Sequence, residues 1–192
     1  MKRILIFIVA IATLSCCDRW KQQPAETNDS TAVDSTAVTE KPEPVYVPIA
    51  HRVGDSIAAA HGPNFYNKLV QEDIIKDLKK YVNSFRGKHC PMIEELPFTF
   101  NDITQDGRGH IAAFKYDVKA TEYRQYEMQL AVRVTRDDGK TLVKGSKYRV
   151  VGTVKGLIYV DPYFLPRDEH SRRDIISYGA IEVSNAEITP YK

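Results

Sequence analysis

Two stretches hold residue types that could do chemistry at a useful spacing. Between positions 161 and 177 stand Tyr163, Phe164, Arg167, Arg172 and Arg173, with Asp168, Glu169 and His170 among them. An aromatic pair beside three arginines can stack on a ligand and pair with its charge. Tyr163, Phe164, Arg167 and Arg173 are therefore the candidate ligand-binding residues. The competing structural role is that the two rings plug one end of a domain while the charges stay in water. The second stretch, Asp102-Ile103-Thr104-Gln105-Asp106-Gly107, opens like a calcium loop. Such a loop needs a bidentate Glu at its twelfth position, and that position is Ala113. A β-turn is the expectation there. His89 and Cys90 are adjacent metal-ligand types, but no second pair stands at zinc spacing, and His51, His61, His110 and His170 are scattered. No acid or glycine-rich oxyanion segment accompanies Cys90 to make it a nucleophile. No serine sits in a G-x-S-x-G elbow, and no P-loop or dinucleotide fingerprint occurs. These residues point to a non-enzymatic protein with no metal and no cofactor.

The first residues say where such a protein would work. Lys2 and Arg3 precede an 11-residue uncharged run at 4–14, followed by Ser15-Cys16-Cys17. That run is too short for about 30 Å of hydrocarbon and suits a secretory signal. Its end resembles a bacterial lipobox, with Cys16 as the lipidated residue and Cys17 as the alternative. Residues 1–15 are expected to be a removed signal peptide, and the protein to sit in the envelope of a Gram-negative bacterium, held to a membrane by its lipid. Residues 16–44 follow as a tether. They have no hydrophobic period, and they repeat DSTAV at 29–33 and 34–38. Such a stretch buries too little apolar surface to offset chain entropy. Its Asp29-Ser30-Thr31 and Asp34-Ser35-Thr36 resemble D-S/T-x O-glycosylation sites.

The whole chain carries 27 basic and 25 acidic groups, a net charge of +2. Removing 1–15 takes away Lys2 and Arg3 and no acid, so the remainder is neutral. Residues 16–50 then hold three basic and six acidic groups, 51–90 seven and four, and 91–192 fifteen of each. A domain balanced in this way does not concentrate phosphate polymers, which argues against a nucleic-acid partner.

Residues 45–192 read as a single domain. Positions 45–49 form a β-prone run ahead of a short helix around 57–60. Asn64 is the expected cap of a stronger amphipathic helix, with Phe65, Leu69, Ile74, Leu78, Tyr81, Val82 and Phe85 near a 3.6-residue period. Cys90 is expected to be a buried thiol. Beyond Pro91 the period falls to two. Leu96-Phe98-Phe100, Ala112-Phe114-Tyr116-Val118, Tyr126-Met128-Leu130-Val132-Val134 and Tyr148-Val150-Gly152-Val154 alternate, and 179–188 makes a fifth run. Turns are expected at 105–109 and at Asp137-Asp138-Gly139. Five strands without crossover helices suggest a mainly β (α+β) protein with a small closed or sandwiched antiparallel sheet.

The segment Leu142-Val143-Lys144-Gly145, the strand through Val150-Val151-Gly152-Thr153-Val154-Lys155-Gly156, and the final Ile181-Glu182-Val183-Ser184-Asn185-Ala186-Glu187-Ile188 resemble the end of the tRNA-anti-like OB-fold family of bacterial envelope proteins. The resemblance implies a five-stranded antiparallel OB-like barrel over about 94–190, preceded by the amphipathic helix. It covers about 50 residues. The segment between the last two strands, about 20 residues long, departs from the family's short loop. OB folds bind along one barrel face and its loops, so a non-catalytic binding domain is expected. A protein or glycan partner is the leading reading, and an oligonucleotide or phosphosugar is the alternative.

Overall fold

Alternating apolar residues from 98 to 190 build a curved sheet in which nearly every inward side chain is buried. The structure is a computed structural model, and it describes residues 45–167 and 172–192. Cys16, Cys17 and the segments expected to be a signal peptide and a tether lie outside the described residues.

Among the described residues six strands form the sheet: β1 (Phe98–Asp106), β2 (Gly109–Lys119), β3 (Arg124–Val134), β4 (Lys147–Ile158), β5 (Tyr163–Leu165) and β6 (Asp174–Pro190). Their order is β3-β2-β1-β4-β6-β5, and β3 also pairs with β6. Five of them therefore close into a ring, β1-β2-β3-β6-β4, with β5 on the outer edge of β6. All pairings are antiparallel except β3–β6, which is parallel through Leu130↔Ile181 and Val132↔Val183. The parallel seam follows from the connections. The chain must leave β3, cross to β4 and return antiparallel along it before β6 can reach β3. The β1–β4 junction is the shortest, with Phe98↔Tyr148 and Thr99↔Lys147.

Inside the ring, Phe98, Phe114, Met128, Leu130, Val132, Val150, Val154, Ile181 and Val183 are almost completely buried. On β3 and β6 the buried residues stand two apart, at 128, 130 and 132 and at 181 and 183, and on β4 Gly152 takes the position between Val150 and Val154, as a one-sided sheet requires. Gly152 is needed for space: a Cβ there would lie 2.7 Å from Val183 Cγ1 and 3.0 Å from the backbone of Ala186. Gly179 is needed for both space and conformation. Its φ is +76°, and a Cβ would lie 2.6 Å from the carbonyl oxygen of Val160.

Among the described residues four helices accompany the sheet: α1 (Ile49–Ala60), α2 (Lys68–Ser84), α3 (Pro91–Glu94) and α4 (Arg136–Thr141). α1 comes close to the strands because Gly54 has no side chain; a Cβ there would lie 3.0 Å from Tyr126 Cε1 and from the Tyr178 hydroxyl. Tyr178 also donates a hydrogen bond to the carbonyl of Ala50. α2 buries Ile74, Leu78 and Val82. After it, Gly87 N donates to Val154 O at 2.8 Å and Val154 N to Lys88 O at 3.0 Å, which ties the chain to β4. Cys90 is a free, buried thiol.

Several expectations are corrected. Residues 45–48 form no strand, and α1 begins at Ile49 rather than near 57. The cap of α2 is Asn67, whose Oδ1 accepts from Leu69 N at 2.9 Å, so Phe65 and Asn64 precede the helix and Leu69 is exposed. Residues 136–141 are a helical turn instead of a hairpin, because Thr135 Oγ1 accepts from Asp138 N and starts a helix. The last strand begins at Asp174 rather than 179, and the expected loop before it contains β5.

Candidate functional site

The segment between β4 and β6 splits its four candidate residues between packing and surface. β5 pairs with β6 through Tyr163↔Ser177 and Phe164↔Ile176. This registers Phe164 inward, where it is 2% exposed and packs against Phe65 with ring centroids 5.4 Å apart. Phe164 is thus packed as a core residue. Tyr163 donates its hydroxyl to Glu127, and burial, followed by that hydrogen bond, pushes the phenol up to about 12. Arg167 and Arg173 reach instead to the turn between β2 and β3. The Arg167 guanidinium lies 4.9 Å from the centroid of the Tyr123 ring, and Arg173 Nε donates to the Thr121 carbonyl at 3.3 Å. His170, Asp168 and Glu169 lie outside the described residues.

The calcium-like stretch is a hairpin. Asp106 Oδ1 accepts from Arg108 N at 2.8 Å across the β1–β2 turn, and Asp102 Oδ1 accepts from Ile103 N at 2.8 Å. Among the described residues no three His, Cys, Asp or Glu side chains cluster as a metal site would require. His89 Nδ1 lies 2.9 Å from Glu94 Oε1 at the surface, whereas burial pushes the Cys90 thiol up, away from the reactive thiolate.

The feature that the sequence reading missed lies on the outer face of the ring. Arg133, on β3, spans two neighbouring elements. Its Nη2 lies 3.2 Å from Asp106 Oδ2 in the β1–β2 hairpin, and its Nε lies 3.1 Å from Glu182 Oε1 on β6. The Arg133 hydrogen bond and the Arg108 amide hold the Asp106 carboxyl below its usual range. A cavity of about 460 Å³ opens on one side of Arg133, lined by Thr104, Ile111, Ala113, Ala131, Ile158 and Tyr159. A second of about 570 Å³ opens on the other side, lined by Arg86, Arg108, Lys155 and Ser184. Both are lined by Arg133 and Glu182, so the two cavities adjoin at that ion pair and are described together as one groove. The apolar half has the small side chains Ala113 and Ala131 on its floor and Tyr159, 75% exposed, at its edge. The polar half is basic. Across the whole groove, Arg86, Arg108, Arg133 and Lys155 face the carboxylates of Asp106 and Glu182.

The strand period assembles this surface. On β2, Ala112 and Phe114 face the core, so Ile111 and Ala113 must face out; on β3, Val132 faces in and Ala131 and Arg133 are on the opposite side. The sequence signal was Arg133 itself, a charge held between two apolar residues of an alternating run. No protein-family model matches the chain, and no curated protein or solved structure matches it either.

Proposed function

We propose that this chain is a lipid-anchored protein of a Gram-negative cell envelope, whose residues 45–192 form a non-catalytic OB-like domain that binds an extended acidic glycan. The anchor rests on the lipobox-like sequence at Cys16, with Cys17 as the alternative acceptor. Among the described residues no helix is long and apolar enough to cross a membrane. The five-strand ring with its parallel β3–β6 seam supports the OB-like reading, as does the resemblance of 142–156 and 181–188 to the tRNA-anti-like family.

The observation that carries the binding role is the Arg133 groove. It runs over β2 and β3 and is bordered by the β1–β2 hairpin and the segment after β4, which is the face and the loops that OB domains use for oligosaccharides and oligonucleotides. An exposed tyrosine at one end offers a stacking face, and the cations exceed the carboxylates by two. A uronate or phosphosugar chain matches that distribution. A single aromatic gives little platform for successive bases, which favours sugar over single-stranded nucleic acid.

The test is calorimetric titration of the full chain in detergent with a galacturonate hexamer, a neutral glucose hexamer and a ten-residue thymidine oligonucleotide. The expected result is binding of the galacturonate hexamer, weakened roughly tenfold by Tyr159→Ala and more by Arg133→Gln. Tight thymidine binding with a steep salt slope would favour the oligonucleotide reading. Binding of neither charged ligand would refute both.

A further inference from the structure

A second concave site lies on another part of the domain, where α1 meets the β2–β3 turn. Residues 45–48 run past this turn and leave a cavity of about 650 Å³. Tyr46 and Tyr123 line it, and both are exposed, at 70% and 54%. Large exposed aromatic rings sharing one concavity suggest a ligand face. Both rings are also held in place. The Tyr46 hydroxyl donates to Glu95, which accepts from Ile49 N as well, and the Arg167 guanidinium lies over the Tyr123 ring.

The remaining lining is polar. His51 is buried and stacks on Tyr126 at 4.1 Å with the rings 11° from parallel, while its Nε2 lies 2.8 Å from the Tyr116 hydroxyl. Desolvation pushes the His51 pKa down, so the ring is neutral near pH 7. Beside it, the Arg124 guanidinium is only loosely engaged. Its Nε is 3.6 Å from Asp55 Oδ1 and its Nη2 is 3.4 Å from Asp174 Oδ2. Its Nη1 is buried without a hydrogen-bond partner.

These features select among ligand chemistries. An apolar ligand would strip water from Asp55 and Arg124 without replacing its hydrogen bonds. An anion would meet two carboxylates around the single Arg124. A cation would meet Arg124 and the nearby Arg167. A neutral ring bearing hydroxyls meets no such penalty. Its C–H face lies on tyrosine, one hydroxyl donates to Asp55, and an oxygen accepts from Arg124. The volume falls in the range of small-ligand pockets. We propose that this cavity is a second binding site, distinct from the Arg133 groove, and that it takes a neutral sugar unit.

Saturation-transfer NMR on the full chain in detergent tests the site. The probes are methyl glycosides of glucose, galactose, mannose and N-acetylglucosamine, and a soluble oligomer of each. Transfer to the ring protons of at least one probe is expected. Tyr123→Ala and Asp55→Asn, both at exposed side chains, should each weaken it roughly five- to tenfold. Arg133→Gln should leave it unchanged, because that residue lies in the other groove. Monomer and oligomer binding equally would identify a free sugar, and tighter oligomer binding would identify a glycan chain. No transfer to any probe, or transfer undiminished in both variants, would overturn the proposal.

Discussion

Truncating Phe164 to alanine separates a packing role from a binding role for the segment between β4 and β6. The ring is 2% exposed, lies against Phe65, and is set inward by the Phe164↔Ile176 pairing. Removing a buried phenylalanine side chain costs about 3–5 kcal/mol, the larger values where the surroundings cannot collapse into the space. Here β5 has three residues and sits at the sheet edge, so it can relax inward, and about 3 kcal/mol is the expected loss. For a domain of about 150 residues that lowers Tm by about 6–12 °C. The one tryptophan, Trp20, lies outside the described domain, so the transition is best followed by far-UV circular dichroism during urea unfolding of the full chain. A loss below about 1 kcal/mol would mean that the ring does little for the fold. The packing assignment would then fail.

Two further outcomes follow from the same structure. His51 has its pKa lowered in the folded state by burial from the ordinary 6.5, so the unfolded chain takes up the proton first. Its contribution to stability is therefore present above about pH 6.5 and lost as pH falls toward the folded value; urea midpoints measured from pH 7.5 to 5 should decline, and His51→Asn should flatten that slope. Gly179→Ala places a Cβ 2.6 Å from the Val160 carbonyl oxygen at φ +76°, and should destabilise by at least about 2 kcal/mol, read as a lower urea midpoint; an unchanged midpoint would show that the β4–β5 connection relaxes freely.

The legible parts of this protein were those in which one side chain's neighbours are its own sequence neighbours. The two-residue alternation at Ala112, Phe114 and Tyr116 marked β2 and its buried face directly, and the same holds for Tyr126 to Val132 on β3. The buried stripe of α2 was legible from Ile74, Leu78 and Val82. Helix ends were harder to read. Asn64 and Asn67 are equally good caps as residue types, and only the hydrogen bond to Leu69 N distinguishes them. The Asp-Asp-Gly turn signal at 137–139 lost to the Thr135 cap for the same reason, since two local motifs competed for one backbone.

The sites were legible only in fragments. Tyr163, Phe164, Arg167 and Arg173 stand together in the chain, but pairing of β5 with β6 turns Phe164 into the core and sends the arginines to the β2–β3 turn. Conversely, Arg86, Asp106, Arg133, Tyr159 and Glu182 are far apart in sequence and border one groove. Composition, strand period and the charge balance of each segment are properties of adjacent residues, and the sequence by itself determined them. Which outward-facing residues meet depends on the closure of the ring, above all on the parallel β3–β6 register that sets Ala131 against Glu182. That closure is a contact between positions about 50 residues apart, and a local pattern carries no term for it.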